Sequence, residues 1–308
     1  MQTNKNLSYE IRWITNPKEV SENRDLIKQF FTLYEDDSNF PDPDEREEPH
    51  FIIERIQEES NDPHTHLMAF NLLDGGETKF IAGCIVEFYP DSCCGLVTYV
   101  FVNKEYRGLK IGNEQRKVGE LLLKSEEGLK GLVDFFETRY HKKPKAILFE
   151  SNNPFETSPE NDSMPPAKRL KFFKKLGAKR VDFPYIQPPL GDDKGIVSNL
   201  YLLTFPDLVG LDDDIEVHTI MNFVMELAKS LDRNKEPNSG SLYGTQNYLK
   251  DLQLLHNQTK GVHKIQESEI IGLTVNDRNI ITETYQNLLK NANNRGKVNL
   301  TDIPGAAE

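Results

Sequence analysis

Hydrophobic and polar residues follow two different periods along the chain, and these periods predict its secondary structure. Alternating apolar and polar positions, or a short apolar run bounded by turn residues, predict strands at 8–15, 66–73, 79–89, 95–102, 145–149, 181–185 and 196–204. Apolar residues spaced three and four apart predict helices over about 20–34, 49–59, 113–140 and 167–176. The second, third and fourth strands follow one another so closely that they must be antiparallel neighbours.

The last hundred residues have a different pattern. After Pro206 the strand signal stops, and helical spacing recurs at 213–231, 245–258 and 276–293, with a polar linker at 234–244 and a frayed tail at 294–308. We therefore predict an α+β domain over residues 1–206 and a helical region over residues 207–308. The element order excludes a doubly wound parallel sheet and favours a mainly antiparallel sheet with helices on its faces.

Charge and composition restrict the class of protein further. Of 308 residues, 37 are basic and 49 are acidic, and the net charge of −12 argues against a nucleic-acid partner. No apolar run reaches the ~18 residues that a membrane helix needs, and the first residues lack the apolar core of a secretory signal. Three cysteines are an odd number for a disulfide framework, and no second cysteine pair completes a zinc site. We expect a cytoplasmic protein without a membrane anchor or a metal.

The segment that carries chemistry is 99–112, where an apolar strand runs into a glycine-bearing turn that is expected to open the long helix at 113. Such a turn favours anion binding, because a helix N-terminus presents unpaired N–H groups. Gly108 and Gly112 would let the backbone approach a phosphate, and Arg107 would add a charge-assisted hydrogen bond. The turn matches neither a Walker A motif nor the Gly-x-Gly-x-x-Gly dinucleotide motif.

These residues resemble the signature of the GNAT superfamily of acyl-CoA-dependent N-acetyltransferases, Arg/Gln-x-x-Gly-x-Gly/Ala. Arg107 and Gly112 match its first and last places, and Val102 lies at the expected distance before it. The order of elements from residue 8 to 206 is similar too. The segment 171–177 is similar to the family's Phe-Tyr-x-x-x-Gly. The strand that leads into Asn152-Asn153 is similar to the one where the family often places an asparagine near pantetheine.

The resemblance implies the GNAT fold, with acetyl-CoA as co-substrate and a primary amine as acceptor. The residues that it places at the acetyl-CoA site are Val100, Val102, Arg107, Gly108, Leu109, Lys110, Ile111, Gly112, Asn152 and Phe173. The chain departs from the family pattern at two of them. Lys110 replaces the middle glycine, and Phe173 replaces the tyrosine that often protonates the leaving thiolate, which phenylalanine cannot do.

The family's reaction is direct attack of a neutral amine on the thioester, so a base must remove a proton from a cationic amine. The superfamily separates two central strands, which exposes backbone N–H groups that polarise the carbonyl and admits the pantetheine arm. Glu87 and Glu150 lie at strand ends from which either can reach that separation. We take Glu87 as the candidate base and Tyr185 as the candidate acid, with Tyr99 and Tyr201 as further candidates for the acid.

The acceptor and the partners are less specified. Eight carboxylates beside one arginine in 35–48 indicate either a site for a cationic acceptor or a solvated loop. A basic cluster around Lys168 and Arg169 either meets a phosphate of CoA or faces solvent. Two alternatives stay open beside the enzyme: a non-catalytic acyl-CoA-binding or regulatory module, and an interaction protein whose C-terminal helices bind a partner or form a homodimer.

Overall fold

The fold was analysed in a computed structural model that describes residues 7–41, 46–58, 63–112, 114–157, 162–183, 185, 187–188, 190, 197, 199–232 and 297–306. The strands are β1 Ser8–Ile14, β2 His64–Asp74, β3 Glu77–Tyr89, β4 Cys94–Val102, β5 Lys110–Ile111, β6 Arg116–Lys117, β7 Ala146–Asn152, β8 Lys179–Val181, β9 Leu200–Thr204, β10 Asp214–Glu216 and β11 Lys297–Thr301. The helices are α1 Pro17–Glu22, α2 Arg24–Tyr34, α3 Pro49–Gln57, α4 Val118–Lys124, α5 Leu129–Tyr140, α6 Pro166–Lys175, α7 Pro206–Val209 and α8 Val217–Asp232.

Nine strands form one sheet in the order β1-β2-β3-β4-β7-β9-β8-β11-β10, and β5 pairs with β6 apart from it. Within the described sheet, the pairing of β4 with β7 is parallel and the other pairings are antiparallel. The prediction of an α+β protein with a mainly antiparallel sheet and flanking helices is therefore confirmed. The antiparallel order of the hairpins formed by β2, β3 and β4 is confirmed as well.

Side chains alternate between the two faces of the sheet, and each face is covered by its own helices. On one face, α2 and α3 pack on residues such as Ile85, Tyr99 and Phe101. Next to them α8 packs on Tyr89 and Leu96. The opposite face, with Val86, Phe88, Val97 and Ile147, is covered by α4, α5 and α6. The apolar residues that predicted the strands are thus buried against helices on the two faces of the sheet.

The single long helix predicted over 113–140 is wrong. The signature segment runs into the small hairpin of β5 and β6, the next α-helix begins at Val118, and a break at 125–128 separates α4 from α5. A β-carbon on Gly128 would lie 2.2 Å from the carbonyl oxygen of Leu122, so the chain turns there in a space that only glycine fits. The predicted apolar stripe is still buried, because the apolar side chains of both helices face the sheet.

The C-terminal segment joins the main sheet, which the sequence did not predict. A helix close to the predicted 213–231 is present as α8, but β10 precedes it, and β11 lies between β8 and β10 where a frayed tail was expected. The boundary expected at residue 206 therefore does not coincide with a gap in the packing. The predicted helices at 245–258 and 276–293 and the linker at 234–244 lie outside the described residues.

Three further details differ from the sequence-based picture. The strands expected at 181–185 and 196–204 are shorter, at Lys179–Val181 and Leu200–Thr204. The helical stretch at 20–34 is two helices, because Asn23 ends α1 and begins α2. Over the part of the chain that the structure describes, no helix combines the length and apolarity needed to cross a membrane.

Candidate active site

A cleft opens where the two central strands separate. β4 and β7 pair from Cys94 with Ala146 to Val97 with Phe149, but β4 continues to Val102 and β7 continues to Asn152. Beyond the last pair the strands diverge, and the space between them is a cavity of about 340 Å³. This is the strand separation that the sequence resemblance implied.

The cleft is lined by apolar and aromatic side chains with a few charged ones at its margins. Four phenylalanines from β7, α6 and the end of β9 form one wall: Phe149, Phe172, Phe173 and Phe205. Residues 97–102 of β4 form another, and Asn39 and Phe40 from the connection between α2 and α3 complete it. Lys117 and Lys168, both exposed, stand at the ends of α4 and α6 that face the cleft.

The β4 wall is irregular at the point of separation. Val97 pairs with Val86 and Tyr99 pairs with Ile85, so Thr98 is an extra residue that bulges out of the β3–β4 ladder. The Thr98 hydroxyl is buried and has no hydrogen-bond partner among the described residues. Beyond Val97 the strand has β3 on one side only, so the backbone groups on its other edge face the cleft. Such groups can bind a carbonyl oxygen.

Glu150 is the carboxylate that lines the cleft, on β7 just past its last pair with β4. Tyr185 donates a short hydrogen bond to one of its oxygens, and Gln187 Nε2 donates to the other at 2.7 Å. Burial raises the pKa of Glu150 to about 7, the two hydrogen bonds act in the opposite direction, and the nearby charge of Glu87 adds to the rise. A carboxylate with this pKa can accept a proton near neutral pH.

Glu87, the candidate base chosen from the sequence, is not among the residues that line the cleft. It is buried on β3, forms an ion pair with Arg55 at 2.8 Å, and accepts hydrogen bonds from Tyr89 at 2.6 Å and Thr65 at 3.2 Å. Its oxygens are thus engaged by protein groups, and its role as the base stays a prediction. Tyr185, the candidate acid, lies next to the site, but its hydroxyl is committed to Glu150.

The signature segment is divided between the cleft and the hairpin. Arg107 and Gly108 line the cleft, as do Val100, Val102 and Phe173. Leu109, Lys110, Ile111 and Gly112 do not line it, because β5 turns away at this point. Gly108 and Gly112 have φ of 89° and 74°, which explains both glycines as backbone requirements of the turn. Asn152 is buried outside the lining and donates to Asp162 at 3.1 Å.

Sequence reasoning missed the residues with which α4 approaches the cleft. Val118 and Gly119 line it, and a β-carbon on Gly119 would already lie 3.2 Å from the Phe172 ring. Their signal in the sequence was Val118-Gly119, one residue before the apolar run Leu121-Leu122-Leu123. The helix that contains them begins after the β5–β6 hairpin.

The acidic segment 35–48 is not uniformly a solvated surface. Glu47 is buried and makes a two-pronged contact with Arg55, and the exposed Asp37 pairs with Arg46 at 3.1 Å. Asp42, Asp44 and Glu45 lie outside the described residues. Tyr34 and Tyr99, both buried, accept the backbone N–H of Glu47 at 3.0 Å each. Glu47 thus contributes to structure, and attraction of a cationic acceptor by the other carboxylates stays a prediction.

No protein-family model and no curated protein matches the sequence. Among solved structures, the chain is similar to a protein described as a GNAT-family acetyltransferase from Bacteroides thetaiotaomicron, at 16% identity and a TM-score of 0.37 over 63% of this chain and 85% of that one. The chain is also similar to the catalytic domain of the Tetrahymena GCN5 histone acetyltransferase in complex with coenzyme A, at 15% identity and a TM-score of 0.33. That alignment covers 67% of this chain and 94% of the other.

A tandem GNAT protein from the clavulanic acid biosynthesis pathway is 13% identical, with a TM-score of 0.32. The alignment covers 59% of this chain and 46% of that one.

Proposed function

We propose that the protein is an acyl-CoA-dependent N-acyltransferase that moves an acetyl group from acetyl-CoA to a primary amine. One observation carries the proposal: β4 and β7 separate to open a cleft that has unpaired strand edge on one side and Glu150 on the other. A narrow apolar cleft suits the pantetheine arm. Lys117 and Lys168 at its margins suit the phosphates of CoA.

The chemistry follows from the groups that face one another in this cleft. The amine nitrogen attacks the thioester carbonyl carbon, the C–N bond forms, and the C–S bond breaks to release the thiolate of CoA. Glu150 takes the proton that the amine must lose, and backbone N–H groups of β4 beyond Val97 stabilise the negative charge on the carbonyl oxygen. Tyr185 and Gln187 hold the Glu150 carboxylate in place.

A second candidate is a non-catalytic acyl-CoA-binding module, and Phe173 is the observation that favours it. The Phe173 ring packs against Phe149 with 4.8 Å between centroids, so the position that often supplies a proton to the thiolate is apolar here. Tyr99 lines the same cleft, but its hydroxyl accepts the backbone N–H of Glu47. A module of this kind would bind acetyl-CoA and leave it intact.

Calorimetry followed by a turnover assay separates these candidates. The full chain is titrated with acetyl-CoA and then incubated with acetyl-CoA and polyamines, aminoglycosides or lysine-rich peptides. Thiol release and the mass of the acetylated amine are measured, with a protein-only blank because Cys93 is a half-exposed thiol. We expect binding and amine-dependent release. Binding without release on any amine supports the module, and absence of binding rejects both candidates.

A further inference from the structure

The segment between α2 and α3 forms one wall of the cleft, and two arginines hold it from opposite sides. We call residues 35–41 and 46–48 the wall segment. Its Asn39 and Phe40 line the cleft, and the Phe40 ring packs edge-on against Tyr99 of β4 at 5.3 Å. The shape of this side of the cleft therefore depends on where the wall segment is held.

Arg107 holds one part of the wall segment. Its guanidinium donates to Ser38 O and Asn39 Oδ1 at 2.8 Å each, to Val102 O at 3.1 Å and to Ser163 O at 3.2 Å. Four of its five N–H donors are thus used by neutral protein acceptors on three separate segments. A guanidinium committed in this way ties the end of β4 to the wall segment and to the residues that precede α6.

Arg55 holds the other part. Its Nη1 donates to Glu47 Oε1 at 2.7 Å and its Nη2 to Glu47 Oε2 at 2.5 Å, while Nη2 also contacts Glu87 Oε1 at 2.8 Å. Side chains of all three residues are at least nine-tenths buried. Because a buried pair that loses one partner is costly, the contact fixes Glu47 to strand β3. Tyr34 and Tyr99 then hold the Glu47 backbone.

We propose that Arg107 and Arg55 are positioning residues that fasten the wall segment against the cleft, and that the amine acceptor enters past this carboxylate-rich segment. Arg107 acts through this fastening and is not a ligand of the CoA phosphates. Its acceptors are all neutral oxygens of the protein itself, and its place in the sequence signature is explained by the three segments that it joins. The statement about substrate rests on the proposed function, whereas the fastening does not.

Hydrogen exchange tests the fastening without any substrate. The Arg107→Met and Arg55→Lys variants are compared with the wild type, and exposed Arg12 is changed to Met as a matched control. We expect amides of the wall segment, that of Glu47 included, to exchange at least about tenfold faster in the first two variants, with α5 unchanged. Unchanged exchange of the wall segment in the Arg107 and Arg55 variants would overturn the proposal whatever the protein's activity.

Kinetics with two acyl donors test the role of Arg107. S-acetylpantetheine lacks the nucleotide and phosphates of acetyl-CoA, so a phosphate ligand matters for one donor and not for the other. For Arg107→Met we expect an acceptor KM about tenfold higher, with a smaller change in kcat. We expect kcat/KM for the two donors to fall by the same factor.

Two results of these kinetics would overturn the role of Arg107. One is a loss confined to acetyl-CoA with acetylpantetheine unaffected, which identifies Arg107 as a phosphate ligand. The other is an acceptor KM equal to that of wild type. If wild type turns over neither donor with any amine, the proposed function fails, and the exchange experiment still decides the fastening.

Discussion

Glu87 and Glu150 are carboxylates on β3 and β7, the two strands that flank β4, and their surroundings differ. Glu87 faces the Arg55 guanidinium, whereas the donors to Glu150 among the described residues, Tyr185 and Gln187, are neutral, and Glu150 also lines the cleft. Neutral donors stabilise a carboxylate less than a guanidinium does, so burial dominates at Glu150 and its pKa rises to about 7. The same residue type is thus paired with a cation on β3 and held by neutral donors on β7.

If Glu150 is the base, Glu150→Gln removes the proton acceptor and keeps the side-chain volume. We expect kcat to fall about 100-fold or more. In the wild type, kcat/KM should rise with pH through about 7, as Glu150 loses its proton, and this limb should be absent from the variant. Glu156→Gln, an exposed glutamate after the same strand, is the control. A wild-type profile retained in Glu150→Gln would assign the base to another group.

The same pKa has a consequence for stability. A carboxyl whose pKa is raised in the folded state binds more protons in that state than in the unfolded state. Its contribution to the free energy of unfolding is therefore fully present below about pH 4.5 and is lost as the pH rises through about 7. Above pH 7 the wild type carries a buried charge that Glu150→Gln lacks. We expect the variant to gain up to about 3 kcal/mol relative to wild type between pH 5 and pH 8. Denaturant unfolding at the two pH values measures this difference.

Phe173→Tyr tests whether protonation of the leaving thiolate limits turnover. Phe173 is nearly buried against Phe149 and Phe205 and still lines the cleft, so a hydroxyl added to its ring has a route to polar surroundings. We expect a folded variant with a higher kcat and an unchanged acceptor KM. Phe172→Tyr, on the same helix and lining the same cleft, is the control. An unchanged kcat would show that another group or water already supplies the proton.

For single residues, the sequence predicted both glutamates near the strand separation and favoured Glu87 as the base, a choice that stays a prediction. It gave no sign of Arg55, which pairs with Glu87, or of Gln187, which donates to Glu150. Residues 55 and 87, like residues 150 and 187, are distant in sequence, and the folded chain brings them together. Contacts of that kind leave no local pattern to read.

At the element scale the glycine turn and the helix that follows were predicted as one unit and are two. A test of the acetyl-CoA site must therefore use Gly119 of α4, which lines the cleft, and not Gly112, which the hairpin carries away from it. We expect Gly119→Glu to weaken acetyl-CoA binding at least tenfold by calorimetry, because the side chain fills the cleft and repels phosphate. Gly112→Asn, which tolerates the positive φ, should bind as wild type does.

The missed break between α4 and α5 has a physical explanation. Helical spacing reports which face is buried, and Val118, Leu122, Leu129 and Leu132 all face the sheet on both sides of the break. Leu129 lies seven positions after Leu122, which is close to two helical turns, so the pattern is the same for one helix or two. A stripe of apolar residues thus predicts which helical face is buried better than it predicts whether the helix is continuous.

For the whole molecule, the unexpected feature is that the C-terminal segment completes the sheet. The sequence Lys297-Val298-Asn299-Leu300-Thr301 alternates between polar and apolar positions, which is a strand signal, but five isolated residues near the end of a chain carry little weight. Its partners in β8 and β10 lie more than eighty positions earlier. The described C-terminal residues and the central sheet therefore share a core, through Val298, Leu300 and α8.

This shared core predicts that the end of the chain is required for stability. Leu300 is 8% exposed and pairs with Val181 of β8, whereas its neighbour Asn299 is exposed. Leu300→Asp places a charge in the core and should lower the unfolding free energy by about 3 kcal/mol or more. Asn299→Asp adds the same charge one position away and should cost less than about 1 kcal/mol, even opposite Asp214. Thermal and denaturant unfolding of the two variants measures the contrast. Equal, small effects would mean that residues 297–301 are a dispensable tail, and truncation after residue 206 would then leave a folded domain.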